Sequence, residues 1–152
     1  MADELTTGVL MFIAYRSAEN RILDAVHRAG YTDLTLAQAR IAARIGPGGT
    51  RLSDLAEQAQ VAKQTATVLV DRLERAGYVE RTVDPTDGRA RLVRIAARGK
   101  DVVPIARAEE ARIDAEWTSH LGKRRMRQLR EALTLLRDIT DPYQASPSAV
   151  RS

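Results

Sequence analysis

The chain has 152 residues, 44% hydrophobic and 29% charged, which fits one ordinary globular domain with a substantial core. A formal net charge of +4 makes an acidic partner plausible without requiring one, since cationic solubility alone gives similar numbers. There is no cysteine, which excludes disulfides, thiolate nucleophiles, Cys-based zinc sites and thiol-oxidation sensing. The first apolar run, VLMFIA, is short and follows acidic residues, unlike a signal peptide, and no apolar segment approaches the ~20 residues that span a bilayer. The expectation is a soluble, cytoplasmic protein without a membrane partner.

In chain order, helical periodicity dominates. From about residue 3 to 29, Leu5, Val9, Phe12, Ile13, Leu23 and Val26 recur at three- and four-residue steps and stop near Gly30. A second helix over about 36–45 ends at Gly46-Pro47-Gly48-Gly49. Shorter helices follow at about 53–60 and 63–77, then strand-like runs at 78–83 and 90–96 joined by DPTDG, with Asp87-Gly88 as the turn signal. Past Gly99 a helix carries Val102, Ile105, Ala106, Ile113 and Trp117. Gly122 interrupts it, and a last helix carries Met126, Leu129, Leu133, Leu136 and Ile139. The tail 141–152 is rich in Pro, Ser and Ala and is expected to fray.

The middle of the chain carries the chemistry. Ser53 is a credible N-cap for the helix at 53–60, with Asp54 favourable in its first turn. Leu55, Ala56, Ala59 and Val61 are expected to face Ala66, Leu69, Val70 and Leu73 of the next helix, with small Ala56 permitting the close crossing of a helix-turn-helix. At about 100° per residue the opposite face of the second helix holds Gln64, Val68, Asp71 and Arg75, flanked by Thr65, Thr67 and Arg72. Polar side chains of middle length on that face suit base edges in a DNA major groove. Val68 is either a surface valine or a contact for a thymine methyl.

Gly77 closes this helix, and a hairpin with arginines at 89, 91, 94 and 98 follows. A helix-turn-helix followed by a basic hairpin is a winged helix, whose wing would touch phosphate or enter the minor groove. The fold class is therefore mainly α with a small β-hairpin wing.

The stretch VDRLERAGYVERTVDPTDGRARLVRIAARGK resembles the MarR-type transcription regulators, through Arg72, Leu73, Glu74, Gly77, Val79, Arg81, Asp87, Arg89, Val93, Ile95 and Gly99. The whole chain fits the outline of that family, with long terminal helices around a central winged helix. Three positions depart from its pattern. Ala62 stands where a Ser-like N-cap is frequent, Ala96 where Thr is common, and Gly88 where Arg is frequent, which removes one wing cation and loosens the tip.

The resemblance implies a homodimer. Residues 1–34 would form an N-terminal dimerisation helix, 35–99 the winged helix-turn-helix and 100–140 the C-terminal dimerisation helices, with 141–152 a flexible tail. More apolar surface on the terminal helices than one core can use agrees with this. The partner would be double-stranded DNA with a pseudo-palindromic operator, its half-sites about one helical turn apart. By matching, Lys63 would meet phosphate at the helix entry, and Gln64, Thr65, Thr67 and Val68 would lie where bases are touched. Arg72 would contact the DNA backbone or pair with Glu74 or Glu57. Arg89 would enter the minor groove, held by Asp87, with Arg91 on phosphate. Arg94 and Arg98 would be solvated, as would the basic run 123–130. The resemblance also implies release of DNA by a small-molecule effector, often a phenolic or aromatic anion, in a cleft that Tyr15, Arg16, His27, Tyr31 and Arg40 could line.

An enzyme is not expected, because no strained nucleophile turn or Gly-rich phosphate loop appears. GPGG lacks the following Lys-Ser/Thr of a phosphate loop and reads as a linker. His27 and His120 are far apart and outside any ligand-spaced cluster, so neither metal nor cofactor is expected. Beside the dimeric regulator stand a non-specific or architectural winged-helix DNA-binding protein without an effector, and a winged helix that binds proteins.

Overall fold

The computed structural model describes residues 4–143. Six helices and three strands follow in the order α1 (Thr7–Arg28), α2 (Leu36–Ala42), β1 (Thr50–Arg51), α3 (Leu52–Ala59), α4 (Lys63–Arg75), β2 (Val79–Asp84), β3 (Asp87–Ile95), α5 (Ala97–Leu121) and α6 (Lys123–Thr140). Compactness divides the chain between Glu110 and Ala111.

Local chemistry accounts for the helix boundaries in the first unit. Thr6 caps α1, its hydroxyl accepting from the Val9 amide at 3.4 Å, so the helix starts later than the periodicity suggests. Thr35 and Gln38 form a reciprocal capping box that starts α2. That helix closes at Ala42, because the Arg44 and Ile45 amides turn back to the Ile41 and Ala42 carbonyls in tighter three-residue steps. Gly77 adopts φ +85°, a left-handed conformation that suits glycine and ends α4 sharply.

The core of this unit is the crossing of α3 and α4 with α2 and the sheet closed over it. Ile41, Leu55, Val70, Leu73, Val79 and Val93 are its largest fully buried side chains. Ala66 is fully buried and Ala56 nearly so, which lets the two helices approach closely, while Ala59 and Val61 pack at the edge. The turn between α3 and α4 passes through Gln60 in the left-handed region at φ 56°, its side chain donating to the Glu57 carbonyl at 2.6 Å.

The sheet is antiparallel in the order β1-β3-β2, with Thr50 opposite Val93 and Val79 opposite Ile95. Strand β1 is absent from the sequence reading, and it also corrects the expected cap. Because Thr50–Arg51 pairs with β3 and runs directly into α3, the cap position falls on Arg51, which makes no side-chain cap bond, and Ser53 lies inside the helix. The GPGG segment lies against β3, where a Cβ on Gly49 would meet the Arg94 side chain and the Val93 carbonyl.

The wing turns at Pro85-Thr86 rather than at Asp87-Gly88, and both of the latter belong to β3. Proline sets φ for the turn, and the Asp84 carboxylate accepts from both the amide (2.8 Å) and the hydroxyl (2.7 Å) of Thr86. The other carboxylate oxygen of Asp84 takes Nε and Nη2 of Arg51 at 2.9 and 2.8 Å, tying the wing to β1. These bonds, those to Thr86 foremost, pull the Asp84 carboxyl down to about 2.

Helix α5 begins at Ala97, ahead of Gly99. Gly99 is buried, and a Cβ there would collide with the Tyr78 carbonyl oxygen and the Ile95 side chain. The second unit holds the end of α5 and all of α6, separated at Gly122 in the left-handed region at φ +88°. Within it Ile113 and Met126 are buried, whereas Leu129, Leu133, Leu135, Leu136 and Ile139 are exposed. Arg124, Arg125 and Arg127 are exposed, as a solvated face requires. Most of the tail lies outside the described residues.

Two outcomes are expected. Gly99→Ala must displace the Tyr78 backbone and should lower unfolding stability by roughly 2 kcal/mol, read by thermal or urea denaturation. For Asp84 the folded carboxyl is depressed from 3.8 to about 2, so its contribution is present above the ordinary carboxylate range and is lost as pH falls through 2. The difference in Tm between the wild type and Asp84→Asn should therefore be largest near neutrality and shrink on acidification through that window.

Candidate nucleic-acid interface and adjoining cavity

Helix α4 turns its buried stripe, Ala66, Leu69, Val70 and Leu73, toward the core. The remaining face is open: Lys63, Gln64, Thr65, Val68 and Arg72 are all exposed. Val68 is 47% exposed, an apolar side chain held in solvent by the helix register. Thr67 is half-buried and its hydroxyl donates to the Lys63 carbonyl at 2.9 Å, so it offers lone pairs and a methyl rather than a free proton. Ala62 supplies no side-chain cap, so the first-turn amides of α4 have no side-chain acceptor there.

The other polar groups on α4 hold the scaffold. Arg81 of β2 donates to Asp71 at 2.6 Å and to Glu74 at 2.8 Å, fastening the wing stem to the helix. Glu74 also accepts the Arg81 amide at 3.0 Å, so it is engaged by Arg81 and not by Arg72. Arg75 turns back along its own helix toward the Asp71 carbonyl.

On the wing, Arg89, Arg91 and Arg94 are exposed. The Asp87 carboxylate accepts from the Arg89 amide at 3.0 Å, which fixes the backbone of Arg89 and leaves its guanidinium unengaged. Arg98 is different, and its expected solvation is corrected. Its guanidinium donates to Asp33 at 2.6 and 3.0 Å and to the Ala76 carbonyl at 3.1 Å. It also lies 4.5 Å from the ring centre of Tyr78 and 5.5 Å from that of Tyr31. The Tyr78 hydroxyl donates to Asp33 at 2.5 Å. Burial, with that bond to a carboxylate, pushes the Tyr78 phenol up to about 12, while Arg98 and then Tyr78 hold Asp33 below its usual range. Sequence spacing gave no sign of this cluster, because its members lie in the α1–α2 connection, the turn before β2 and the start of α5.

Helices α1, α2 and the first half of α5 enclose a cavity of about 260 Å³. Its walls are aliphatic, including Ile22, Leu23, Val26, Leu34 and Val102, and the Tyr78 ring forms part of the lining. Two of the five expected ligand residues, Tyr15 and Arg40, line it. Arg40 donates two bonds to Glu19, at 2.7 and 2.9 Å, and the Tyr15 hydroxyl donates to Glu19 at 2.8 Å. Arg40 holds Glu19 below its usual range, and burial followed by Glu19 raises Tyr15. The other three point elsewhere. Arg16 sits over the Phe12 ring, the His27 ring bonds the Leu34 carbonyl at 2.6 Å, and Tyr31 stacks beneath Arg98. Arg44 also lines the cavity and escaped the sequence reading. No group of residues with metal-holding geometry occurs among the described residues, and no helix among them is long and apolar enough to cross a membrane.

Residues 32–90 match the sequence model of the MarR family. The HTH-type transcriptional regulator BilQ of Clostridioides difficile is 31% identical over 72 residues, a match covering 47% of this chain but only 46% of that protein. The crystal structure of transcriptional regulator Tm0710 from Thermotoga maritima is similar at TM-score 0.60 and 30% identity, over 86% of this chain and 90% of that one. The Mycobacterium tuberculosis MarR family protein Rv2887, solved in complex with salicylic acid, is similar at TM-score 0.64 and 25% identity, over 90% of this chain and 99% of that one. With the winged helix, its basic hairpin and these likenesses together, the chain belongs to the MarR family of transcription regulators.

Proposed function

We propose that the protein is a homodimeric repressor that binds a pseudo-palindromic operator in cytoplasmic double-stranded DNA and releases it when a small-molecule effector binds. The observation that carries this reading is the division of the arginines in the winged helix. Arg51, Arg81 and Arg98 are spent on carboxylates within the fold, while Arg72, Arg89 and Arg91 stand exposed on the open face of α4 and on the wing, with no carboxylate partner among the described residues. Cations left unpaired on two adjoining elements suit a polyanion. In this reading Lys63 and the uncapped amides of α4 take a phosphate, Gln64, Thr65, Thr67 and Val68 face bases, and Arg72 and Arg91 take the backbone. Arg89 enters the minor groove from a backbone that Asp87 holds in place.

Dimerisation is supported by apolar surface with no cover in one chain. On α1, Leu10 and Phe12 are more than half exposed, and on α6 Leu135 is 70% and Ile139 84% exposed. Domain roles follow the same division, with residues 1–34 and 100–140 as dimerisation helices and 35–99 as the DNA-binding part. The effector step is supported by the cavity and by the salicylic acid held by the Mycobacterium tuberculosis relative.

Selection of the preferred DNA sequence, followed by competition against random DNA, tests the reading. A palindromic site bound far more tightly than random DNA is expected, whereas equal affinity would favour an architectural role. Arg89→Ala should weaken operator binding and make the plot of log affinity against log salt shallower by about one counterion. Introducing charge on the exposed apolar faces by Phe12→Glu with Leu133→Glu should convert a dimer to a monomer in sedimentation, and operator affinity should fall with it. A wild-type chain that sediments as a monomer would refute the dimer.

A further inference from the structure

Within residues 35–99, Val68 and Val83 are the large apolar side chains left exposed among the described residues. Val83 stands on β2 in the wing. Val68 stands on the open face of α4, one turn after Gln64 and one turn before Arg72, so the three line up along the helix. The other outward positions of α4 carry polar or charged groups: Lys63, Gln64, Thr65, Arg72, Glu74 and Arg75. Valine forms helix less readily than lysine, glutamine or arginine, and an isopropyl group gains nothing from water. Its direction is fixed, because Ala66, Leu69 and Val70 beside it are buried and a helical valine keeps one side-chain rotamer.

We infer that Val68 is a specificity-determining residue, packing on the 5-methyl group of a thymine in each half-site of the operator. The inference rests on the proposed placement of α4 against bases in the major groove, and it names one base that the helix reads. The thymine methyl is the one apolar group on the base edges of that groove. Cytosine presents its amino donor there, and adenine and guanine present N7. Valine can satisfy none of these, so any base but thymine loses water without a replacement bond. Helix α4 has no arginine before Arg72 to grip the N7 and O6 of a guanine, and the Thr67 hydroxyl proton is already given to the Lys63 carbonyl. Because Val68 is rigid, its contact requires no further ordering of the side chain when DNA binds. Val83 does not share the role, since the wing is assigned to the minor groove, where thymine shows only O2.

Thymidine and deoxyuridine differ by that methyl alone. In the operator obtained by selection, each thymine is replaced by deoxyuridine, one symmetric pair at a time, and Kd is read by fluorescence anisotropy at fixed salt. One such pair should weaken wild-type binding by about tenfold, the loss of a buried methyl in each half-site. Val68→Ala puts a good helix former at an exposed position, and should bind the thymine and deoxyuridine operators within about twofold of each other at that pair. Lys63→Ala should weaken binding to both operators alike and keep the preference. Thr65→Ser and Thr67→Ser, which each remove a methyl of their own, should keep it too. The absence of any pair sensitive to the replacement overturns the inference, as does a preference that survives Val68→Ala or one that either serine variant removes. If selection returns no preferred site, sequence-specific recognition itself fails and the inference with it, whereas a preferred site indifferent to the methyl removes only the role of Val68.

Discussion

The winged helix is held together at one residue, Tyr78. Its amide closes the end of α4 on the Leu73 carbonyl at 2.9 Å, and its carbonyl accepts the Ala96 amide at 3.0 Å, just before α5 begins. Its ring is buried and its hydroxyl reaches Asp33 in the connection between α1 and α2. The end of α4, the residue before α5 and the connection between α1 and α2 therefore meet at one residue. Burying an aromatic ring of this size contributes roughly 2 kcal/mol, and its hydroxyl can be buried only because a carboxylate accepts it. The Arg98–Asp33 pair beside it is about half exposed and adds orientation more than stability. Gly99 belongs to the same constraint, because only a residue without a side chain lets α5 approach the Tyr78 carbonyl so closely.

From that anchor the arginines fall into two populations. Those whose backbone lies beside a carboxylate of another element are absorbed into the scaffold: Arg51 by Asp84, Arg81 by Asp71 and Glu74, Arg98 by Asp33. Each joins parts of the fold that the open face of α4 and the wing depend on for their relative placement. On the open face of α4 and on the wing, Arg72, Arg89 and Arg91 are exposed. A basic composition alone does not separate these populations, since the separation depends on which carboxylates the chain topology brings near.

Much of the fold was legible because it is written in local signals. Gly77 and Gly122 mark real breaks, the spacing of Leu55, Ala66, Leu69, Val70 and Leu73 gave the helix crossing, and the outward position of Val68 followed from helix geometry alone. The failures share one cause, which is that non-local pairing decided the outcome. Strand β1 is two residues long and exists only through its pairing with β3, so no periodicity could announce it, and it moved the cap from Ser53 to Arg51. Asp-Gly is a strong turn dipeptide, yet the hairpin turned earlier because Pro85 and the Asp84 carboxylate together define a tighter corner. Of the residues assigned to the cavity, Tyr15 and Arg40 both bond Glu19 at its wall, while Tyr31 and His27 are drawn off by partners that sequence spacing does not encode.

The corner at Pro85-Thr86 also has a thermodynamic meaning. A glycine-tipped wing samples many backbone states when free and must give them up on any surface it grips. Here a proline, an aspartate bonded twice to Thr86 and an ion pair to Arg51 have already removed that freedom during folding. In the proposed DNA complex, the side chains of Arg89 and Arg91 are what remains to be ordered. The entropy of ordering the wing is thus charged to the folding of the monomer and not to each encounter, which leaves more of the arginines' attraction available as affinity.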